Sequence, residues 1–116
     1  MIGAEQLRQA NCSHTTTASD EASIAGMLGA VPDWQREGQR IVRAFGFNNY
    51  YQTLAFVNAL AFIAHAQDHH PELVVTYASC TVKFDTHSVN DGRGGLSEND
   101  FICAAKVDAL FAACAA

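Results

Sequence analysis

The chain has 116 residues, 49% of them apolar and 16% charged, which suits one globular domain around one core. Twelve acidic residues outnumber seven scattered basic ones for a net charge of −5, so a nucleic-acid backbone is excluded as a direct partner. No apolar run has the length of a membrane span and Met1 to Arg8 lacks a basic-then-apolar leader pattern, so the expectation is a soluble, cytoplasmic protein that does not engage a membrane.

Residues 1–18 are small and polar, with Thr15-Thr16-Thr17 and no usable period, and predict a flexible N-terminal tail ahead of a single domain over 19–116. Ser19 or Asp20 is placed to cap a helix over about 20–30, with Ile24, Met27 and Leu28 on one face and Val31-Pro32-Asp33 to end it. Trp34 to Glu37 and Gln39 to Phe47 read as two strands turned at Glu37-Gly38. Arg36, Arg40 and Arg43 fall on this pair and read as a solvated face. Asn48 or Asn49 caps the next element, a helix over 50–67 that contains neither Gly nor Pro. It is apolar on two sides: Leu54, Val57 and Ala61 mark one, Phe56, Leu60 and Ile63 the other. One side can cover a sheet and the other meet a second subunit. Two more strands follow, Leu73–Tyr77 and Thr81–Thr86, around Ala78-Ser79-Cys80. After a Gly-rich loop from Ser88 to Gly95, Ser97-Glu98-Asn99-Asp100 has capping-box spacing and opens a helix to about Ala115. Its buried stripe is read as Cys103, Val107, Leu110 and Cys114. The order α-β-β-α-β-β-α predicts an α+β fold, a four-stranded antiparallel sheet with three helices packed on one face.

The chemistry concentrates in Asp68-His69-His70-Pro71-Glu72. Imidazole alone both gives and takes a proton near neutrality without a shifted pKa. Pro71 disfavours helical backbone at His70, so the preceding helix should stop there, leaving two imidazoles where its dipole favours a protonated ring. The 73–86 hairpin brings His87 back toward His69 and His70, with Asp68 and Glu72 available to orient the rings. No Ser or Cys nucleophile pairs with them. His65 and His69 have the i, i+4 spacing of two zinc ligands, but no Glu follows His65 directly. A histidine–metal protein is therefore one alternative. Cys12 and His14 are two candidate ligands only, and His14 reads as a surface residue. The four cysteines show no CxxC spacing and read as free thiols. Asp100 reads as a helix cap, and Trp34 and Tyr77 as core aromatics.

Together, His65-x-x-x-His69-His70-Pro71-Glu72, Tyr77, Thr86-His87 and Gly95-Leu96-Ser97-Glu98-x-Asp100 resemble the pterin-4a-carbinolamine dehydratase family, in its bacterial form. The likeness extends upstream through Val31-Pro32-Asp33-Trp34, Arg43-Ala44-Phe45-Gly46-Phe47 and Ala55-Phe56-Val57-Asn58, over about residues 20 to 112. It departs at His65, where the family often has Glu, and in a longer 88–95 loop. The resemblance implies the same four-stranded sheet and three helices. It implies a hydro-lyase that removes water from 4a-hydroxytetrahydropterin to give quinonoid dihydropterin, recycling the cofactor of aromatic amino acid hydroxylases such as phenylalanine hydroxylase. It further implies His69, His70 and His87 as catalytic residues, with Pro71, Glu72, Thr86 and Ser88 against the pterin substrate. No metal and no other cofactor is required. A homodimer or homotetramer through the 50–67 helix is implied as well. The rival implication is a non-enzymatic binding protein, because animal members also act as dimerisation cofactors of a transcription factor.

Overall fold

The computed structural model describes residues 2–114. Local capping sets three of its helices. Asp20 Oδ1 accepts from the Ser23 amide at 2.8 Å and opens α2, Glu21–Ala30. Asn49 Oδ1 accepts from the Gln52 amide at 2.9 Å and opens α3, Tyr50–Gln67. The Ser97-to-Asp100 box opens α4, Glu98–Cys114. Helix α3 ends at Asp68, whose backbone is left-handed (φ 50°, ψ 45°), a conformation Asp tolerates better than most residues.

Strands β1 (Gln35–Glu37), β2 (Arg40–Gly46), β3 (Glu72–Val75) and β4 (Ser79–Phe84) form one antiparallel sheet in the order β1-β2-β4-β3. Gly38, at φ +63°, makes the β1–β2 turn. The β3–β4 turn comes two residues earlier than expected, because Thr76 closes it on Ser79: amide to carbonyl at 2.9 Å and hydroxyl to hydroxyl at 2.6 Å. Period-2 alternation sends Ile41, Phe45, Cys80, Val82 and Phe84 to the helical side, where all are buried. Phe45 is the hub of an aromatic cluster, with Phe56 and Phe111 each at 4.9 Å and Trp34 at 6.1 Å.

Four expectations are corrected. Residues 4–9 are not a loose tail: Ala4–Gln9 is a short helix, α1, packed on α4 with Leu7 fully buried. One leucine among polar neighbours has no period, so only the tertiary contact reveals the helix. The chain then runs as a strap over α4 and the loop that precedes it. Ser13 exchanges hydrogen bonds with Asn99, Ser88 Oγ donates to the Thr15 carbonyl, and the Ser19 amide to that of Leu96. The three arginines form no common solvated face; each meets its own carboxylate, Arg36 on Glu21, Arg40 on Glu72, and Arg43 on Asp108. Arg43 lies on the helical side, over the Phe45 ring at 4.4 Å. Cys114 is exposed rather than part of the buried stripe, and Ala115 lies outside the described residues. Tyr77 is exposed and stacks on Tyr50, whereas Trp34 is buried as expected and donates Nε1–H to Asp108 at 2.7 Å. Among the described residues no helix is long and apolar enough to cross a membrane.

Candidate active site

A cleft of about 440 Å³ opens where the end of α3, the segment after β4, the first turn of α4 and the N-terminal strap meet. His69, His70 and His87 all line it, with Asp68, Asp85, Thr86 and Ser88. The strap adds Cys12, Ser13, His14 and Thr15. The chain leaves α3 at Asp68, passes Pro71, and antiparallel β3 and β4 return it to the same end, as the sequence implied.

At the centre is a buried network around Asp100, which is fully inaccessible to solvent. His69 Nε2 lies 2.6 Å from Asp100 Oδ1. A carboxylate can only accept, so the ring nitrogen donates. Asp100 Oδ2 accepts from the Thr86 hydroxyl at 2.9 Å and the Ser97 amide at 3.0 Å. Ser97 Oγ lies 2.7 Å from Thr86 Oγ1, completing a ring of hydrogen bonds. Thr86 is held by a backbone pairing with Gly95, where a side chain would strike Asn90 Nδ2 at 2.6 Å. Asp100 therefore caps α4 and orients His69 at once, one oxygen for each task. The capping spacing concealed the second role; an Asp in place of the usual Glu was the available signal.

His69 stacks on Phe84 (5.8 Å, 7° between planes), and its side chain is 11% exposed. Burial, the largest influence, pulls its pKa down, but the hydrogen bond and charge of Asp100 outweigh it. The net result is a value raised above the ordinary 6.5. His87 differs: its side chain is 80% exposed, with Nε2 3.3 Å from Asp85 Oδ1. His70 is exposed at the rim.

Two expected contact residues lie elsewhere. Glu72, exposed on the sheet's open face opposite Lys83, is paired with Arg40 at 2.8 Å. It does not line the cleft, because strand alternation turns it away. Pro71 shapes the turn but is not a lining residue either. His65 is exposed and outside the cleft. Among the described residues no group of three His, Cys, Asp or Glu side chains is arranged to hold a metal ion.

Against known proteins, the family model described as pterin 4 alpha carbinolamine dehydratase matches residues 17–110. The chain belongs to the pterin 4 alpha carbinolamine dehydratase family. A relative from Bdellovibrio bacteriovorus, named as a candidate pterin-4-alpha-carbinolamine dehydratase, is 62% identical over 87 residues, covering 75% of this chain and 72% of its own. One from Xylella fastidiosa with the same name is 54% identical over 93 residues, covering 78% and 77%. Among solved structures, a transcriptional coactivator/pterin dehydratase from Brucella melitensis superposes with a TM-score of 0.73 at 29% identity, over 81% of this chain and 98% of its own. A pterin dehydratase-like RuBisCO assembly factor of the alpha-carboxysome gives 0.54 at 28% identity, over 66% and 84%. Dehydratases of this family are hydro-lyases, and the four-stranded antiparallel sheet with its helices is the architecture shared with the Brucella structure.

Proposed function

We propose that the chain dehydrates 4a-hydroxytetrahydropterin by histidine acid–base catalysis. The observation that carries this reading is His69, lining a cleft with His70 and His87 and held from behind by the buried Asp100. Loss of water breaks the C4a–O bond; the hydroxyl leaves only once protonated, and a ring N–H must give up a proton as the C=N bond forms. Raising its pKa favours the protonated ring, which can donate the first proton. Asp100 holds Nε2–H and stabilises the cation, which leaves the other ring nitrogen for proton transfer. His87, solvent-exposed beside Asp85, takes the second proton and releases it to water. His70 positions the pterin at the rim, with Thr86 and Ser88 contributing backbone contacts from the cleft wall. Each step uses a proton already in the system, so the reaction itself needs no metal and no redox partner.

The substrate fits an aromatic amino acid hydroxylase as its source, since such an enzyme leaves its pterin hydroxylated at C4a. Self-association through the outer face of α3 belongs to the same proposal. Tyr51 and Phe62 are 82% and 74% exposed there, an uneconomical arrangement for an isolated subunit. That face also supports the second reading, a partner-binding role beside catalysis, since one structural relative is described as a transcriptional coactivator and another as a RuBisCO assembly factor.

The deciding experiment is stopped-flow turnover of enzymically generated 4a-hydroxytetrahydropterin by the full chain, His69→Ala and His87→Ala. Strong acceleration by the wild type, lost in the folded variants, is expected. No acceleration over buffer would remove the enzyme reading and leave the partner-binding one.

A further inference from the structure

Helix α4 carries a second reactive feature one turn beyond Asp100, unused by the acid–base chemistry. Cys12, on the strap, and Cys103, on α4, bring their sulfurs to 3.5 Å across a sequence separation of 91 residues. Among the described residues this is the one thiol–thiol contact, and all four cysteines are free. The two members are unequal in access. Cys103 is fully buried in the core, while Cys12 is half-buried and lines the cleft.

We propose that Cys12 and Cys103 are a dithiol site that a hydroperoxide converts into an intramolecular disulfide, fastening the strap that walls the cleft to α4. The geometry requires little movement. A disulfide needs about 2.05 Å between sulfurs, so the gap closes by roughly 1.5 Å. Cys12 sits in a segment without regular structure and can supply that motion, while α4 stays fixed in the core. Access assigns the roles: Cys12 meets the oxidant, and Cys103, sealed from solvent, is reached only through Cys12.

In the first step the Cys12 thiolate attacks one peroxide oxygen. An S–O bond forms, the O–O bond breaks, and the departing alkoxide takes a proton to become an alcohol. Cys12 is oxidised by two electrons to the sulfenic acid, and the peroxide is reduced by two. In the second step Cys103 attacks the Cys12 sulfur; the S–S bond forms, the S–O bond breaks, and the hydroxide leaves as water with the Cys103 proton. The electrostatics favour this order: the hydrogen bond from Cys103 chiefly lowers the Cys12 pKa, and the same bond together with burial raises that of Cys103.

The test uses the full chain carrying Cys114→Ser, which removes the exposed thiol that could link two molecules. Treatment with hydrogen peroxide should reduce the denatured thiol count from three to one, leaving Cys80. Peptide mapping should show Cys12 joined to Cys103, and dithiothreitol should restore all three thiols. In a Cys103→Ser variant, or Cys103→Ala should serine misfold there, oxidation should stop at a Cys12 sulfenic acid captured by a cyclic 1,3-dione. Retention of all three thiols, or over-oxidation of Cys12 beside an intact Cys103 thiol, would overturn the proposal.

Discussion

Replacing Asp100 by Asn keeps the side chain's size and removes its charge, which isolates the orienting role from the packing. The carboxylate accepts three hydrogen bonds, from His69 at 2.6 Å, Thr86 at 2.9 Å and the Ser97 amide at 3.0 Å. The amide oxygen of Asn satisfies Thr86 and Ser97, which leaves its NH₂ facing His69 Nε2. That nitrogen must then accept, so the ring becomes neutral with its proton on the opposite nitrogen. Burial, no longer opposed by Asp100, lowers the His69 pKa instead of leaving it raised. Loss of a correctly held acid costs about 10²- to 10⁴-fold in rate, equivalent to about 3–5 kcal/mol of barrier. Stability falls less: a charge-assisted bond of about 1.5–3 kcal/mol is lost, but a buried charge no longer has to be desolvated. The pH dependence has a defined sign. A raised folded pKa stabilises the native state fully below the unfolded value of 6.5 and ceases to do so as pH rises through the folded value. The stability gap between wild type and Asp100→Asn is therefore widest on the acid side of 6.5 and narrows above neutrality. Stopped-flow dehydration, an NMR titration of the His69 ring and urea unfolding across pH measure all three. A variant that keeps its rate within threefold and an unmoved His69 titration would refute the reasoning.

His87→Ala and His70→Ala should unfold within about 0.5 kcal/mol of wild type, as exposed side chains do, while His87→Ala loses about 10²-fold in kcat; parallel urea and kinetic measurements separate the two effects. Thr86→Val deprives buried Asp100 and Ser97 of a shared partner and should cost about 1–3 kcal/mol, read as a lower urea midpoint at constant m. Phe45→Ala opens a cavity among Trp34, Phe56 and Phe111 and should cost about 3–5 kcal/mol, read by calorimetry. Phe62→Asp places a charge on the exposed α3 face and should shift sedimentation toward the monomer while leaving helix content unchanged.

The order of strands and long helices was legible in the sequence because each element carries its own local signal. Asp20 and Asn49 cap, Gly38 turns, Pro71 stops, and residues 50–67 offer eighteen positions without a breaker. Clustering of His69, His70 and His87 was legible too, since a hairpin returns its chain by necessity. What no local pattern carried was set by contacts distant in sequence. Residues 4–9 form a helix only because α4 offers Leu7 a place to bury. Glu72 is drawn from the cleft by Arg40, thirty-two positions away, and by a strand phase that one residue of slip would have reversed. Asp100 satisfies capping spacing by itself, yet its second oxygen meets His69 only once α3 and α4 pack. The sequence alone thus determined the four strands, the three longer helices and which side chains can exchange protons near neutrality, because these depend on neighbours along the chain. The tertiary structure decided which imidazole is held against a buried carboxylate and which thiol faces another, because burial and pairing exist only between elements brought together.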